Sequence, residues 1–200
     1  MKGGVFMKKL LITGFDPFGG ESINPAWEAV KLLPDAIRDY ELTKLEIPTV
    51  FGVAAQTVID KAEELNPDVI ISVGQAGGRA SVTPEMVGIN LRFATLPDNT
   101  GAVPCDIPII EGGPAAYFST LPVRAMAKAI CDAGLPGAVS YSAGSFVCND
   151  VLYSVLHRFA GTSVRAGFIH VPFLPEQTTD KPSLSLDKTV AALCAAITAI

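Results

Sequence analysis

The sequence predicts an α/β fold in which a largely parallel sheet carries helices on both faces. Short apolar segments alternate along the chain with longer segments whose apolar residues recur every three or four positions. Eighteen glycines and fifteen prolines separate these segments. Of the 200 residues, 49% are apolar and 18% are charged, so the chain can bury a sizeable core. We therefore expect one domain over residues 1–200, in which residues 1–6 are an N-terminal extension.

The first half of the chain alternates between strand and helix. Residues 8–15 form a short apolar run that stops at the glycine loop DPFGG, which is typical of a buried strand. Asn24 is placed to cap a helix over residues 24–34, with Pro25 at the first helical position. The next predicted elements are a strand at 41–50, a helix at 51–67 and a strand at 68–78.

The second half begins irregularly and then returns to the same alternation. Residues 80–115 are predicted to contain short strands and turns. The elements predicted after this region are a helix at 122–134, a strand at 137–144, a helix at 148–160, a strand at 164–173 and a closing helix at 183–200. Ser185 or Asp187 lies near the cap of the closing helix.

Loops with unusual residues follow several of the predicted strands. In parallel sheets, ligands bind where strands end and loops begin, so these loops are expected to meet at one rim of the sheet. They are 15–20, 74–79, the neighbourhood of Glu85, 144–149 and 170–173. The loop GQAGGR at 74–79 departs from phosphate-binding motifs, and we expect it to bring backbone close to a ligand.

Composition and cysteine spacing argue against several functional classes. A formal net charge of -5 gives no electrostatic reason to bind nucleic acid or an anionic membrane. The four cysteines form no CxxC pair, and with two histidines in the chain a zinc cluster is not expected. No apolar run reaches the roughly 20 residues that cross a bilayer, and we expect no secretory signal. The expectation is a cytoplasmic protein with free thiols.

Cys148 is a candidate nucleophile because it follows a predicted strand and opens a helix. In the first turn of a helix, the dipole and the free backbone N–H groups favour the thiolate and lower its pKa. The same N–H groups are placed to hold an oxyanion. The competing interpretation is a structural thiol, and the local pattern leaves both open. Cys105, Cys131 and Cys194 are predicted to be structural, the last two at core or partly buried helix positions.

His170 is the better of two candidates for the base that serves Cys148. His157 lies nine residues beyond Cys148 on the same predicted helix, about 13 Å along the axis and on the opposite side, so it is predicted to be solvated. His170 ends the apolar run GFIHVPF and therefore lies at the rim of the sheet. An acid should orient the imidazole, and spacing leaves open Asp16, Glu85, Asp98, Glu111 and Asp150.

The loop sequences, taken together, resemble the pyroglutamyl peptidase I (pyrrolidone carboxyl peptidase) family. The segments that carry the resemblance are TGFDPFGGESINPAWEAV, VGQAGGR, TPEMVGINL, LPDNTG, SAGSFVCNDVLY and GFIHVPFLPEQ, in this order over nearly the whole chain. The resemblance implies an open three-layer α/β/α sandwich with a twisted, mixed, mostly parallel sheet, like that of phosphorylase- and hydrolase-like folds. It also implies a cysteine exopeptidase that releases N-terminal pyroglutamyl residues from peptides through an acyl-enzyme, without metal or cofactor. The Cys, His and Glu of the family triad fall on Cys148, His170 and Glu85.

The resemblance further implies a pocket for pyroglutamate, which is a neutral lactam without a free α-amine. Such a ligand calls for an apolar slot with a few hydrogen bonds. The matching residues are the aromatic and apolar Phe15, Phe18, Phe146 and Val147 and the polar Asn24 and Gln75, the last through its backbone. Family members often form dimers or tetramers, so a homo-oligomer is expected, and the mean hydropathy of +0.38 fits a chain with an interface to bury.

One position departs from the family pattern. Members commonly read ARIPDN, with an arginine near the reacting carbonyl, whereas this chain reads ATLPDN and has Thr95 there. Arg79 or Arg92 would have to supply the missing charge. Two alternatives therefore stay open: a binding protein that keeps the triad but turns over poorly, and a more distant nucleoside-phosphorylase-like enzyme.

Overall fold

The computed structural model describes residues 7–200, and the predicted N-terminal extension, residues 1–6, lies outside the described residues. The strands are β1 Lys8–Phe15, β2 Ala36–Ile37, β3 Tyr40–Ile47, β4 Val69–Gln75, β5 Thr83–Pro84, β6 Val87–Ile89, β7 Ala116–Phe118 and β8 Arg165–Val171. The helices are α1 Pro25–Leu32, α2 Val53–Leu65, α3 Val123–Asp132, α4 Val147–Arg158 and α5 Leu186–Thr198, with a short 3-10 turn at Pro175–Gln177.

The main sheet of the described chain has the strand order β2-β3-β1-β4-β8-β5. The central strands β3, β1, β4 and β8 are parallel, and the short outer strands β2 and β5 run antiparallel to their neighbours. Strands β1 and β4 are almost wholly buried, because helices cover both faces of a parallel sheet. The predicted mixed, mostly parallel sheet is thus confirmed.

Helices lie on both sides of the sheet and complete the predicted three layers. Helices α1, α3 and α5 pack together on one face, where Met126, Ile130 and Leu193 are fully buried. Helices α2 and α4 pack together on the other face, where Val58 and Val151 are fully buried. Removal of these side chains from water is the main stabilising contribution, at about 25 cal/mol per Å² of apolar area.

Most predicted elements are confirmed, with shifts of a few residues at their ends. Helix α1 begins at Pro25, and the Oδ1 atom of Asn24 accepts a hydrogen bond from the Ala26 N–H at 3.0 Å, as predicted for a cap. Ser185 precedes α5, although its side chain makes no capping bond. Over residues 7–200, no helix has the length and apolar character of a membrane span.

The predicted strand at 137–144 is wrong. This segment makes only single bridges to residues 82–85, one through Gly137 and one through Ser140. Pro84 lies between the two bridges and has no N–H to donate, so a continuous ladder cannot form there. The segment nevertheless covers the outer edge of β5 and leads the chain back to the rim, where α4 begins.

Candidate active site

Cys148 lies in the first turn of α4. Phe146 precedes the helix in an extended conformation and its side chain makes no capping bond. The Asp150 N–H makes the first bond of the helix, to the Phe146 carbonyl at 3.1 Å. Among the described residues, the N–H groups of Val147, Cys148 and Asn149 have no acceptor. They are therefore available to an oxyanion that forms beside the thiol.

Gly74 brings the backbone of the sheet against this thiol. It lies at the end of β4, level with His170 of β8 in the register of the two strands. A Cβ atom at position 74 would lie 2.8 Å from Cys148 Sγ and 2.8 Å from Phe168 Cζ, so a side chain there would displace the thiol. The sequence analysis missed this role, although a glycine that ends an apolar strand is a signal of close backbone approach.

His170 is held by Glu85. The antiparallel pairing of β5 with β8 brings Glu85 beside Phe168, whose carbonyl accepts the Glu85 N–H at 2.9 Å. His170 Nδ1 lies 2.6 Å from Glu85 Oε1, and the two side chains are 5% and 0% exposed. Because the carboxylate accepts from Nδ1–H, Nε2 is the nitrogen left to exchange a proton with the thiol.

The other acids that the spacing left open do not contact His170. Asp16 accepts the Thr49 N–H at 2.7 Å. Asp98 accepts three backbone N–H groups from the loops around it. Asp150 is paired with an arginine and a backbone N–H, and Glu111 is exposed. Glu85 is thus the acid of this set that the structure brings against the imidazole.

Arg79 contacts the same carboxylate. Its Nη1 atom lies 2.7 Å from Glu85 Oε1, the oxygen that also binds His170. Glu85 Oε2 is buried and has no hydrogen-bond partner within residues 7–200. Arg79 also donates to Thr83 Oγ1 at 2.7 Å and to the Ser142 carbonyl at 2.9 Å. From the sequence, Arg79 is predicted only as a substitute for the charge missing at position 95, and its contact with Glu85 has no local signal.

The electrostatics favour an ionised Glu85 beside a neutral imidazole and a neutral thiol. Burial alone would raise the pKa of Glu85, but the hydrogen bond and charge of His170, followed by hydrogen bonds from Ser140 and Arg79, bring that pKa below its ordinary value. Burial lowers the pKa of His170, against the opposing effect of Glu85. Burial raises the pKa of the Cys148 thiol to about 12, and the Glu85 charge acts in the same direction.

The predicted lowering of the Cys148 pKa is therefore wrong for the unliganded protein. A helix start stabilises an anion by about 0.3–1 kcal/mol. Burial can shift a pKa by about 3–5 units, and each unit corresponds to about 1.4 kcal/mol, so burial is the larger effect. Cys148 is half-buried, and its sulfur lies against Gly74 beside the Phe168 ring, which removes part of its hydration. The thiol must accordingly lose its proton to a base during the reaction.

The thiol and the imidazole open into a cavity of about 410 Å³. The lining residues are Phe18, Gln75, Ala76, Gly77, Arg79, Ser142, Ala143, Gly144, Phe146, Cys148 and His170. Apart from Ser142 and Ala143, they belong to four of the five predicted rim loops, and the fifth, around Glu85, reaches the site through the contact of Glu85 with His170. Phe18 and Phe146, whose ring centroids are 6.0 Å apart, form an apolar wall. No carboxylate is present in this lining, as far as the described residues show.

Three of the six predicted pocket residues lie behind this lining. Phe15 is 2% exposed and packs against Phe168. Val147 is fully buried at the first position of α4. Asn24 is 1% exposed, and its amide is used twice within the protein, as the cap of α1 and as a donor to the Asp16 carbonyl at 2.9 Å. The expectation that all six residues line the cavity is corrected: Phe18, Gln75 and Phe146 do, and the other three support the walls.

Both arginines that were considered as substitutes for the charge missing at position 95 are bound to other groups. Arg92 Nε lies 2.7 Å from the buried Asp150 Oδ1, and Arg79 is bound to Glu85. Thr95 is exposed and borders a recess of about 290 Å³ that shares Phe18 and Phe146 with the main cavity. Among residues 7–200, no group of three or more histidine, cysteine, aspartate or glutamate side chains is placed to hold a metal ion.

Two expectations about residues away from the site are also corrected. His157 lies apart from the cavity, as predicted, but it is half-buried rather than solvated. Its Nδ1 atom is 3.0 Å from the Tyr117 hydroxyl, and its ring stacks on Tyr153. Cys105 and Cys131, both predicted to be structural, are exposed free thiols. Cys131 lies on the outward face of α3.

The α/β/α fold and the cluster of a thiol, an imidazole and a carboxylate at one rim are typical of a hydrolase with a nucleophilic cysteine. The chain belongs to the pyroglutamyl peptidase family, a family of cysteine peptidases, whose family model matches residues 8–200. It is therefore an enzyme with peptidase function.

Relatives and solved structures resemble the chain over almost its whole length. It is 54% identical over 190 residues to a pyrrolidone-carboxylate peptidase of Enterococcus faecalis. The alignment covers 92% of this chain and 89% of the relative. The crystal structure of pyroglutamyl peptidase I from Bacillus amyloliquefaciens is 47% identical, with a TM-score of 0.93 over 96% of this chain and 95% of that one. The pyrrolidone carboxyl peptidase of Thermococcus litoralis is 37% identical, with a TM-score of 0.92 over 96% and 93%.

Proposed function

We propose that the protein is an exopeptidase that releases an N-terminal pyroglutamyl residue from peptides through an acyl-enzyme on Cys148. The observation that carries the proposal is the cavity itself. It contains the thiol and the Glu85-bound His170, yet no carboxylate among the described residues lines it. A site that binds a free α-ammonium group needs an acidic partner for it, whereas a neutral lactam needs none. The relatives, a pyrrolidone-carboxylate peptidase and a pyroglutamyl peptidase I, support the same substrate.

The reaction begins with a proton transfer from Cys148 to His170. Nε2 takes the proton while Sγ attacks the pyroglutamyl carbonyl carbon, and an electron pair moves to the carbonyl oxygen. The free N–H groups at the start of α4 stabilise this oxyanion. The imidazolium then protonates the leaving amine, the C–N bond breaks, and a thioester remains on Cys148. A water molecule repeats the sequence in place of the thiol and releases free pyroglutamate.

The walls of the cavity suit a small neutral ring. Phe18 and Phe146 offer apolar surface, and Gln75 adds polar groups, with its Oε1 atom already accepting from Gln177 at 3.0 Å. Phe15, Asn24 and Val147 act from behind by fixing these walls. The volume of about 410 Å³ exceeds that of one lactam ring, which leaves room for the first residue of the leaving peptide.

Hydrolysis of a pyroglutamyl chromogenic amide tests this function, with the prolyl amide as the matched control that lacks the lactam carbonyl. We expect cleavage of the first substrate, little cleavage of the second, and no cleavage by Cys148→Ala. Equal rates on both amides would contradict the assignment of substrate. Replacement of the exposed Cys105 and Cys131 by serine leaves Cys148 and Cys194 as the remaining thiols, and peptide mass mapping then assigns the acyl group to one of them.

Thr95 supports a second candidate, a lactam-binding protein with weak turnover. Both nearby arginines are bound to buried carboxylates and leave position 95 without a charge. Calorimetric binding of free pyroglutamate, together with turnover below one event per hour on the chromogenic amide, would favour binding over catalysis. A parallel assay with a nucleoside and phosphate is expected to show no reaction and so to remove the nucleoside-phosphorylase-like alternative.

The assembly and the location of the enzyme are further parts of the proposal. We expect a single peptidase domain that forms a homodimer or homotetramer. Exposed apolar side chains on one long loop support an interface; they are Phe93, Leu96, Val103 and Ile107. The four unpaired thiols suit a reducing, cytoplasmic environment. Light scattering of the purified protein measures the assembly, and a monomer at micromolar concentration would contradict it.

A further inference from the structure

Arg79 contacts both the acid that holds His170 and the loop that leads to Cys148. The chain turns at Gly78, whose φ of 88° suits glycine, and this turn directs the arginine back towards β5. Nη1 donates to Thr83 and Glu85, while Nη2 donates to the Ser142 carbonyl. The guanidinium is a rigid planar fork, so these bonds fix the distance between the two parts of the site.

We propose that Arg79 is a positioning residue that holds the Glu85 carboxylate and the loop 142–145 in the geometry that Cys148 and His170 require. This role rests on the proposed function only where turnover of the pyroglutamyl amide is measured. The alternative role for an arginine in this cavity is direct binding of substrate, and the contacts of its nitrogen atoms argue against it.

The carboxylate needs a second contact because His170 alone does not fix it. The last torsion of a glutamate side chain has a broad energy minimum, so one hydrogen bond to Oε1 leaves the group free to rotate. Arg79 binds the same oxygen at 2.7 Å, while Oε2 has no partner in the described part of the chain. Thr83 and Glu85 are two residues apart and project from one side of β5, where Nη1 bridges them. Oε1 is thereby kept on the imidazole.

The loop 142–145 needs a tether because it contains little structure of its own. Gly144 has a φ of 79°, and its N–H donates to Ser142 Oγ at 3.2 Å. Ser145 Oγ donates to the Phe93 carbonyl at 2.9 Å, and the helix start follows at once. The bond from Arg79 Nη2 to the Ser142 carbonyl ties the front of this loop to Glu85. A shift of the loop would move the N–H groups that face the oxyanion, and displacements of about 1 Å can cost about 10²-fold in rate.

Arg79 also balances the charge of Glu85. The titratable and charged groups that face His170 are Glu85, Arg79 and the Cys148 thiol. Against the larger effect of burial, Glu85 raises the pKa of His170, and Arg79 lowers it. Burial and Glu85 raise the pKa of Cys148, and Arg79 again acts in the opposite direction. Loss of the guanidinium charge should therefore raise the pKa of the Cys148 thiol. The pKa of His170 should instead fall, because a carboxylate that leaves the imidazole removes a larger effect than the charge of Arg79.

The experiment compares Arg79→Met and Arg79→Lys with the matched control Arg124→Met. Arg124 is exposed and donates to the Tyr141 hydroxyl beside the same loop, but it does not line the cavity. We expect Arg79→Met to lower kcat by about 10- to 100-fold with KM changed by less than about threefold. The acid limb of kcat/KM should move to lower pH, because a carboxylate that leaves the imidazole no longer raises the pKa of His170. Arg79→Lys keeps the charge but not the fork, so its kcat should be intermediate with a nearly unchanged limb. Arg124→Met should match the wild type.

A measurement without substrate separates this inference from the proposed function. In the Cys105→Ser and Cys131→Ser background, the rate of Cys148 alkylation by iodoacetamide is followed against pH by peptide mass mapping, which separates it from alkylation of the half-buried Cys194. Arg79→Met should slow alkylation at neutral pH, because the thiol pKa rises. If the wild type does not cleave the pyroglutamyl amide, the proposed function fails, and this measurement still decides the role of Arg79.

Two results would overturn the positioning role. A raised KM with unchanged kcat in Arg79→Met would show that the arginine binds substrate instead. Arg79→Lys with wild-type kcat, KM and alkylation rate would show that the fork to Ser142 and Glu85 has no effect, and this variant carries the test if Arg79→Met does not fold.

Discussion

Two buried ion pairs of this protein are alike in geometry and differ in their third partner. Glu85 and Asp150 are both fully buried, and each lies 2.7 Å from an arginine nitrogen, of Arg79 and Arg92 respectively. Glu85 also binds the imidazole of His170. Asp150 instead accepts a backbone N–H at 2.7 Å. Both carboxylates thus form an ion pair with an arginine. The third partner differs: an imidazole gives Glu85 a role in the reaction, and a backbone N–H gives Asp150 a structural role.

The two pairs also differ in how completely the carboxylate is bonded. Asp150 uses Oδ1 for Arg92 and Oδ2 for the Gly52 N–H, which joins the start of α2 and the loop after β6 to α4. Glu85 uses one oxygen twice and leaves Oε2 buried without a partner in the described residues. A buried acceptor without a partner is destabilising, and such groups concentrate at functional sites. The fold therefore tolerates a cost at Glu85 that it avoids at Asp150.

The largest expected effect comes from removal of the group that distinguishes the two pairs. His170→Ala should lower kcat/KM by about 10³-fold or more, because no other base among the residues that line the described cavity can take the thiol proton. His157→Ala is the matched control and should stay within a few-fold of the wild type, since His157 bonds to Tyr117 outside the cavity. Steady-state hydrolysis of the pyroglutamyl amide measures both variants. Similar losses in both would mean that His170 has no special role.

Glu85→Gln should have the next largest effect. It keeps the shape but removes the charge that orients and stabilises the imidazolium, so kcat should fall by about 10²-fold. His170 must be neutral to act as a base, and burial already lowers its pKa, against the opposing effect of Glu85. Loss of Glu85 lowers that pKa further, and the acid limb of kcat/KM should move to lower pH. An unchanged profile with full activity would remove Glu85 from the triad.

Asp150→Asn should give the reverse pattern, with a change of stability rather than of chemistry. We expect the free energy of unfolding to fall by about 2–3 kcal/mol, because the partly buried Arg92 loses its counter-charge. For a chain of this size the melting temperature should fall by about 5–10 °C. Turnover at 25 °C should stay within a few-fold, and Glu85→Gln should be destabilised less. An Asp150→Asn protein with a normal melting temperature but no turnover would show that Asp150, like Glu85, acts in the reaction.

The smallest expected effect comes from Thr95→Arg, which adds a charge that belongs to neither ion pair. Thr95→Arg places a charge beside the recess that shares Phe18 and Phe146 with the cavity. We expect kcat/KM on the pyroglutamyl amide to rise by less than about tenfold, because backbone N–H groups already serve the oxyanion. A rise of about 10²-fold or more would instead show that position 95 limits turnover and would favour the binding-protein alternative for the natural chain.

Much of the fold could be predicted because its signals are local. The apolar runs of β1, β4 and β8 and the capped start of α1 depend on neighbouring residues, and these predictions agree with the structure. Helical geometry alone excluded His157 as the base for Cys148, and the structure agrees because His157 does not line the cavity. Resemblance to the family was needed to choose Glu85, because five loop acids have equal local patterns and only the pairing of β5 with β8 separates them.

The remaining features are consequences of packing, which the sequence does not display. The strand expected at 137–144 fails because its partner contains Pro84. The thiol pKa moves upwards because Phe168 and Gly74 cover the sulfur, and both belong to strands distant in the sequence. Arg79 stands in a glycine loop with no local sign of its contacts to Glu85 and Ser142. Each of these depends on neighbours that only the folded sheet provides.

The close contact of Gly74 with Cys148 has a consequence for the lifetime of the enzyme under oxidants. Peroxide attacks the thiolate and needs access to the sulfur. In the resting protein Cys148 is a protonated thiol pressed against the sheet, whereas Cys105 and Cys131 are exposed on the surface. Oxidation therefore reaches the surface thiols before it reaches the site. Because its raised pKa leaves little thiolate at neutral pH, we expect Cys148 to be oxidised more slowly than Cys105 and Cys131 in the intervals between turnovers.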